Sequence, residues 1–179
     1  MADYNSVYTG LQIDAGIAKA NTARQEADSG WAQYTDTQYT VGSPLFVLGN
    51  TDTVLPNNAG ASVITQKPAD VASFYTAGKI TGRNGDGILI TINATLLPTS
   101  PATKYAELWF DIGGAIGEPY RTTVTFPKGN GVLYNFSTGF NGYTLDTWEA
   151  NGATVYIRAD GTMSVYDIDY IITRTHKAR

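Results

Sequence analysis

The chain contains no cysteine and one histidine, His176. Without cysteine, neither disulfides nor thiolate metal sites are available. With a lone histidine three residues from the C-terminus, no Cys/His or Ser/His/Asp nucleophile can be assembled, and His176 reads as a solvated tail residue. Charge is scarce as well: Asp, Glu, Lys and Arg make up 16% of 179 residues, where an average soluble domain has roughly 25%. The net charge is −4, and the basic residues are scattered apart from Arg174, His176, Lys177 and Arg179. That pattern leaves no electrostatic footprint for nucleic acid. No apolar run has the length of a membrane span, and the opening residues lack the basic and apolar regions of a secretory signal. The expectation is a chain with no membrane partner, made and assembled in a cytoplasm.

What the sequence does have is uncharged polar and aromatic residues. Hydrophobic residues reach 42%, with 19 Gly, 12 Tyr, 6 Phe and 3 Trp. A surface built from Thr, Asn, Ser, Gly and Tyr suits broad contact with protein or glycan neighbours. The length fits one ordinary domain with a modest extension.

The extension is expected at residues 1–30, an arm with one short helix. Across residues 9–24, Leu11, Ile13, Ile17 and Ala20 recur at helical spacing, and Thr9 with Gln12 forms a capping box. The apolar face is thin and Gly16 interrupts it, so the helix should gain order by packing on something else. Leu11, Ile13 and Ile17 are therefore the candidate anchoring residues.

Residues 31–179 read as β structure. Residues 31–40 are rich in Thr and Tyr, and 45–48 form an apolar run between turn signals. Residues 87–97 place Ile88, Ile90, Ile92, Ala94 and Leu96 on one face; Leu108, Phe110 and Ile112 share another, as do Tyr120, Thr122, Val124 and Phe126. Lys128-Gly129-Asn130-Gly131 is read as a hairpin loop leading to Val132, Tyr134, Phe136, Thr138 and Phe140. A closing hairpin through Asp160-Gly161 would join residues 154–159 to 163–173, with Tyr166, Ile168, Tyr170 and Ile172 on one face. Eight to ten short strands without intervening helices predict an all-β fold, an antiparallel jelly-roll-like β-sandwich carrying the short N-terminal helix and arm.

Catalytic chemistry has little to stand on. Asp167 with Asp169, and Glu107 with Asp111, each share a strand face and could approach each other or a calcium ion. Acids on the solvent face of a strand are the commoner explanation. Gly82-Arg83-Asn84-Gly85-Asp86-Gly87 lacks the strand, loop and helix order of a phosphate loop and reads as a loop tip. The Asn-X-Ser/Thr patterns at Asn93 and Asn135 fall inside strands and imply no glycosylation. No enzyme activity and no cofactor are expected. The aromatics Trp109, Tyr120, Tyr143, Trp148 and Tyr156 are the candidates for subunit interface or sugar stacking, since a sandwich this small cannot enclose every ring.

The opening Tyr8-Thr9-Gly10-Leu11-Gln12-Ile13-Asp14-Ala15-Gly16-Ile17-Ala18-Lys19 resembles a segment near the N-terminus of tailed-phage virion proteins, among them head-fibre, capsid-decoration and tail-fibre proteins. The following Gly42-Ser43-Pro44 and Val54-Leu55-Pro56-Asn57-Asn58-Ala59 look like the entry to a trimeric jelly-roll head, loosely similar to tumour-necrosis-factor-like trimers. The resemblance implies a virion protein that binds the major capsid protein, or another virion protein, by its arm and forms a homotrimer. A tail fibre recognising host surface glycan is the alternative. A long fibre would need a shaft of repeats or coiled coil, and the sequence has neither.

Overall fold

The computed structural model describes residues 9–178, except for the side chains of 22–27; the first eight residues of the expected arm and Arg179 lie outside the described residues. Helix α1 spans Gly10–Asp28. Its start is capped as the sequence predicts: Thr9 N donates to Gln12 Oε1 at 2.9 Å, and Gln12 N donates to Thr9 Oγ1 at 3.4 Å. It runs four residues past the expected end, because Gln25-Glu26-Ala27 are good helix formers even without an apolar face.

The β body follows as β1 Gly30–Thr35, β2 Leu45–Val47, β3 Thr53–Val54, β4 Ala61–Val63, β5 Tyr75–Thr76, β6 Lys79–Ile80, β7 Gly87–Pro98, β8 Tyr105–Asp111, β9 Tyr120–Thr125, β10 Tyr134–Tyr143, a short helix α2 Asp146–Asn151, β11 Thr154–Ala159 and β12 Met163–His176. The large sheet has the order β10-β7-β12-β1-β4, with β2 also pairing β12; the small sheet is β3-β11-β8-β9; and β5 pairs β6. The strand pairings are antiparallel. The expected jelly-roll-like sandwich is what the chain forms. Strand β1 ends earlier than expected because the buried Asp36 carboxylate folds the chain over, accepting from Gln38 N at 3.0 Å and Tyr39 N at 2.6 Å.

Two connections differ from the sequence reading. Loop 128–131 does not close a hairpin: β9 pairs with β8 in the small sheet and β10 with β7 in the large one, so the loop crosses between sheets. Asp160-Gly161 likewise carries the chain from β11 in the small sheet to β12 in the large one. There the Asp160 carboxylate accepts from Lys104 N at 2.8 Å and Tyr105 N at 3.2 Å, and a Cβ on Gly161 would come within 2.8 Å of Thr103 N. A tight-turn signal tells where the chain reverses, not which strand its neighbour pairs with.

A third difference lies within β12. Tyr166 pairs with Thr95 and Asp169 with Asn93, so the chain takes one extra residue there, with Asp167 at φ +53°. This bulge puts Tyr166 on the outer face beside Thr95, while Ile168, Tyr170 and Ile172 point inward. The core between the sheets joins Ile88, Ile90, Ile92 and Leu96 of β7 to Leu108 and Phe110 of β8 and Val155 and Ile157 of β11. Alternation along β7 was a direct guide to it, since period two on a half-buried strand separates core from surface. Tyr170 is fully buried with its hydroxyl donating to the Leu55 carbonyl, and burial raises its phenol pKa well above the ordinary value.

Candidate interaction surfaces

The first thirteen described residues of the arm, 9–21, which hold most of helix α1, are exposed. Leu11 is 84% exposed, Ile13 45% and Ile17 55%, and residues 9–21 are exposed on every side. A surface helix of a globular domain usually buries an apolar stripe. Over residues 9–21 this one shows no buried stripe, so the three predicted anchoring side chains are displayed.

The five singled-out aromatics separate into different environments. Trp148, on α2, is a core residue rather than a displayed ring: it is 2% exposed, it packs 6.0 Å from Phe140 and 6.3 Å from Phe110, and its Nε1 donates to Ile80 O at 3.0 Å. A sugar or a second subunit has no access to either face. Tyr120 points inward against Phe110 and Phe140, its hydroxyl 2.7 Å from Thr138 Oγ1. Trp109 lies on the outer face of the small sheet, but its faces are occupied. Tyr156 stacks on it at 5.5 Å and 12°, the Arg121 guanidinium carbon lies 4.3 Å from its ring centre, and only 4% of the residue is exposed. Tyr156 is half-buried in that stack. Tyr143 alone of the five is openly displayed, 64% exposed, in an edge-to-face arrangement with His176 at 6.0 Å.

The paired acids also separate. Asp169 accepts from Gln33 Nε2 at 3.0 Å and Thr35 Oγ1 at 2.6 Å, whereas Asp167 in the bulge accepts from Thr95 Oγ1 at 3.4 Å. Glu107 pairs with Arg121 at 3.1 Å, and Asp111 accepts from the Gly113 amide at 2.7 Å. Each carboxylate serves its local structure.

The outer faces of the two sheets differ in character. The small sheet carries Glu107, Asp111, Arg121 and Arg158 on its outward positions; Arg121 pairs with Glu107 and Glu118, and Arg158 with Asp52. The outward strand positions of the large sheet carry Asp167 and Asp169 and are otherwise uncharged. Across it run Asn141-Leu89-Thr173-Trp31 at one level and Gly139-Thr91-Ile171-Gln33-Val63 at the next. At the far end, Phe46 pairs with Ser164 and Ser164 with Leu97. Trp31 is 36% exposed, Leu89 38%, Val63 44% and Phe46 54%. Sequence reasoning missed these four as surface residues, although the odd positions of β7 already alternate against its core set. Which strands lie beside β7, and so how wide the face is, depends on long-range pairing.

A cavity of about 190 Å³ opens between Phe74, Arg83, Asp86, Glu149 and Arg174. The Asp86, Arg83 and Arg174 groups that line it are already bonded to one another, so it is not a vacant polar site.

No protein-family model matches the chain, and no curated protein matches it. Among solved structures, the chain is similar to the tumour necrosis factor Eiger from S. frugiperda, at 9% identity and a TM-score of 0.50, over 85% of this chain and 94% of that one. It is also similar to the PRD1 vertex protein P5, at 15% identity and a TM-score of 0.44, over 84% of this chain and 73% of that one. At such identities the likeness to Eiger is one of fold, and it agrees with the jelly-roll reading.

Proposed function

We propose that the chain is a structural appendage of a virus particle of the tailed-phage type, a capsid-decoration or head-fibre protein that docks on the major capsid protein by its N-terminal arm and trimerises through its β body. The observation that carries this reading is α1, a capped helix whose Leu11, Ile13 and Ile17 stand clear of a body that is otherwise packed. An element of this kind reaches its stable state in contact with another chain. It belongs to the same opening segment that resembles the arms of phage virion proteins.

The outer face of the large sheet supports self-association. Isologous or ring-forming contacts favour a broad surface poor in charge, and the small sheet's ion-paired face offers no such surface. The isolated protein is expected to sediment at three times its 19.2 kDa chain mass. Ile171→Lys, placing a charge at the centre of the large face between Thr91 and Gln33, is expected to give a monomer with an unchanged circular-dichroism spectrum. A trimer that survives this substitution would place the contact elsewhere.

The location is tested on particles. Cryo-electron microscopy is expected to find the chain at regular positions over the capsid with α1 inserted between capsid subunits, and removal of residues 1–21 is expected to abolish its incorporation while leaving the body folded. Density confined to the tail would favour the host-glycan reading instead. In that case Tyr143, the openly displayed ring among the five candidates, is the first residue to substitute.

A further inference from the structure

The last turn of α1 is acidic, Gln25-Glu26-Ala27-Asp28, and contains no basic residue. The C-terminal end of a helix carries partial negative charge on its unpaired carbonyls, so acids there are unfavourable and cations favourable. Here the cations come from the other end of the chain. Arg174, on an inward position of β12 and 1% exposed, donates from Nε to the Asp28 carbonyl at 2.8 Å. The same guanidinium grips the Asp70 carboxylate with two bonds, at 2.7 and 3.2 Å, and reaches Asp86 at 3.5 Å. Lys177 bridges the Asp28 carboxylate at 3.2 Å and Asp70 at 3.1 Å.

Two further contacts fix the same corner. Asp86 accepts from the Ala178 amide at 2.8 Å, and Arg83 donates to the Ala178 carbonyl at 3.1 Å, so the C-terminal segment is itself tied down. Past the helix, Gly30 sits at φ +154°, where a Cβ would come within 2.5 Å of Gln66 O, and Trp31 N donates to that same carbonyl at 3.0 Å. The chain leaving α1 therefore has one path.

From this geometry we infer that Arg174 and Lys177 form an external cap on α1, a clamp by which the C-terminal segment fixes the last turn of the helix to the β body. The arm is then a spoke held at its root rather than a tether, and the C-terminal residues decide whether it is held. A bidentate arginine is suited to this because its donors lie in one plane and accept little variation in direction. The inference concerns the chain's own residues and stands whether or not the virion reading does.

The test is amide hydrogen exchange on the full chain, comparing the wild type with Lys177→Gln and Asp70→Asn. Both substitutions remove clamp contacts while leaving Arg174 in place. Exchange across residues 24–30 is expected to rise about two- to fivefold in each variant, the scale of a lost partly exposed ion pair, with the β7 amides of Ile90 and Ile92 unchanged. Unprotected exchange of 24–30 in the wild type would overturn the inference, and so would unaltered exchange there in Lys177→Gln. If Asp70→Asn loosens the whole body, shown by faster β7 exchange, the surface variant Lys177→Gln decides alone.

Discussion

Trp148→Ala is expected to lower the unfolding free energy of the β body by about 4 kcal/mol, the middle of the range for large-to-small aromatic substitutions. A domain of this size has about 5–15 kcal/mol in all, so the variant should lose between about a quarter and four fifths of its stability. Three losses combine. The first is transfer of a large apolar ring out of the core, and the second is the cavity left between Phe110 and Phe140, which face it at 6.3 and 6.0 Å. The third is the Ile80 carbonyl, which takes the indole N–H at 3.0 Å. That carbonyl also receives the Ala153 amide at 2.8 Å, so it keeps one partner and this loss is the smallest. Urea unfolding followed by circular dichroism measures the sum. Trp148→Phe, which keeps most of the ring volume and loses the donor, should cost about half as much or less. Equal losses in the two variants would mean that the hydrogen bond, not the ring, holds α2 to the body.

The same residue shows how far the sequence could be read. Trp148 is among the five rings named as candidates for display because a sandwich this small cannot enclose every aromatic, and nothing in Thr147-Trp148-Glu149-Ala150 marks it as core. Its burial depends on a six-residue helix too short to show a period, with its partners, Ile80, Phe110 and Phe140, coming from three different strands. Where an element is long and half-buried the pattern was sufficient: every second residue of β7 from Ile88 to Leu96 is in the core, and the Thr9/Gln12 box capped α1 as expected. Partnership was what alternation could not give. The loops at 128–131 and 160–161 were recognisable as turns, but both lead into the opposite sheet, because pairing is decided by which edge is available across the core rather than by the turn. The bulge at Asp167 was equally hidden: no glycine marks it, and one extra residue there reverses the side on which Tyr166 stands. The displayed helix was legible for a related reason, since a thin apolar face needs no distant information to be recognised.

Buried charge was the least legible feature of all, and it carries the second large effect. Arg174 reads as part of a basic tail, yet β12 continues far enough to place it inward, with Asp70, Asp86 and the end of α1 around it. Arg174→Met is expected to destabilise the body by about 3 kcal/mol at pH 7, the low end of the cost of breaking a buried ion pair, because Asp70, Asp86 and the Asp28 carbonyl lose a shared donor while Asp86 keeps Arg83 at 2.9 Å. The Arg174→Met/Asp86→Asn double variant should recover part of that loss, since it removes a buried charge left with Arg83 as its cation; if it recovers none, the loss lies in the contacts to Asp70 and Asp28 and in packing of the arginine stem. The acid limb gives an independent reading. The Asp70 carboxyl is held well below the usual carboxylate range chiefly by its hydrogen bonds from Arg174, with Lys177 assisting. A depressed folded-state pKa contributes stability that is present above the unfolded value of about 4 and is lost as pH falls from there through the folded value. One third of the Asp70 side chain is exposed, so solvent screening reduces this share to about 1 kcal/mol. The wild type should therefore lose that increment as pH falls below about 4, measured as a falling urea midpoint. Asp70→Asn should lack it, and Arg174→Met should retain only the part that Lys177 supplies, so an acid limb of unchanged steepness in both variants would assign the loss to other carboxylates.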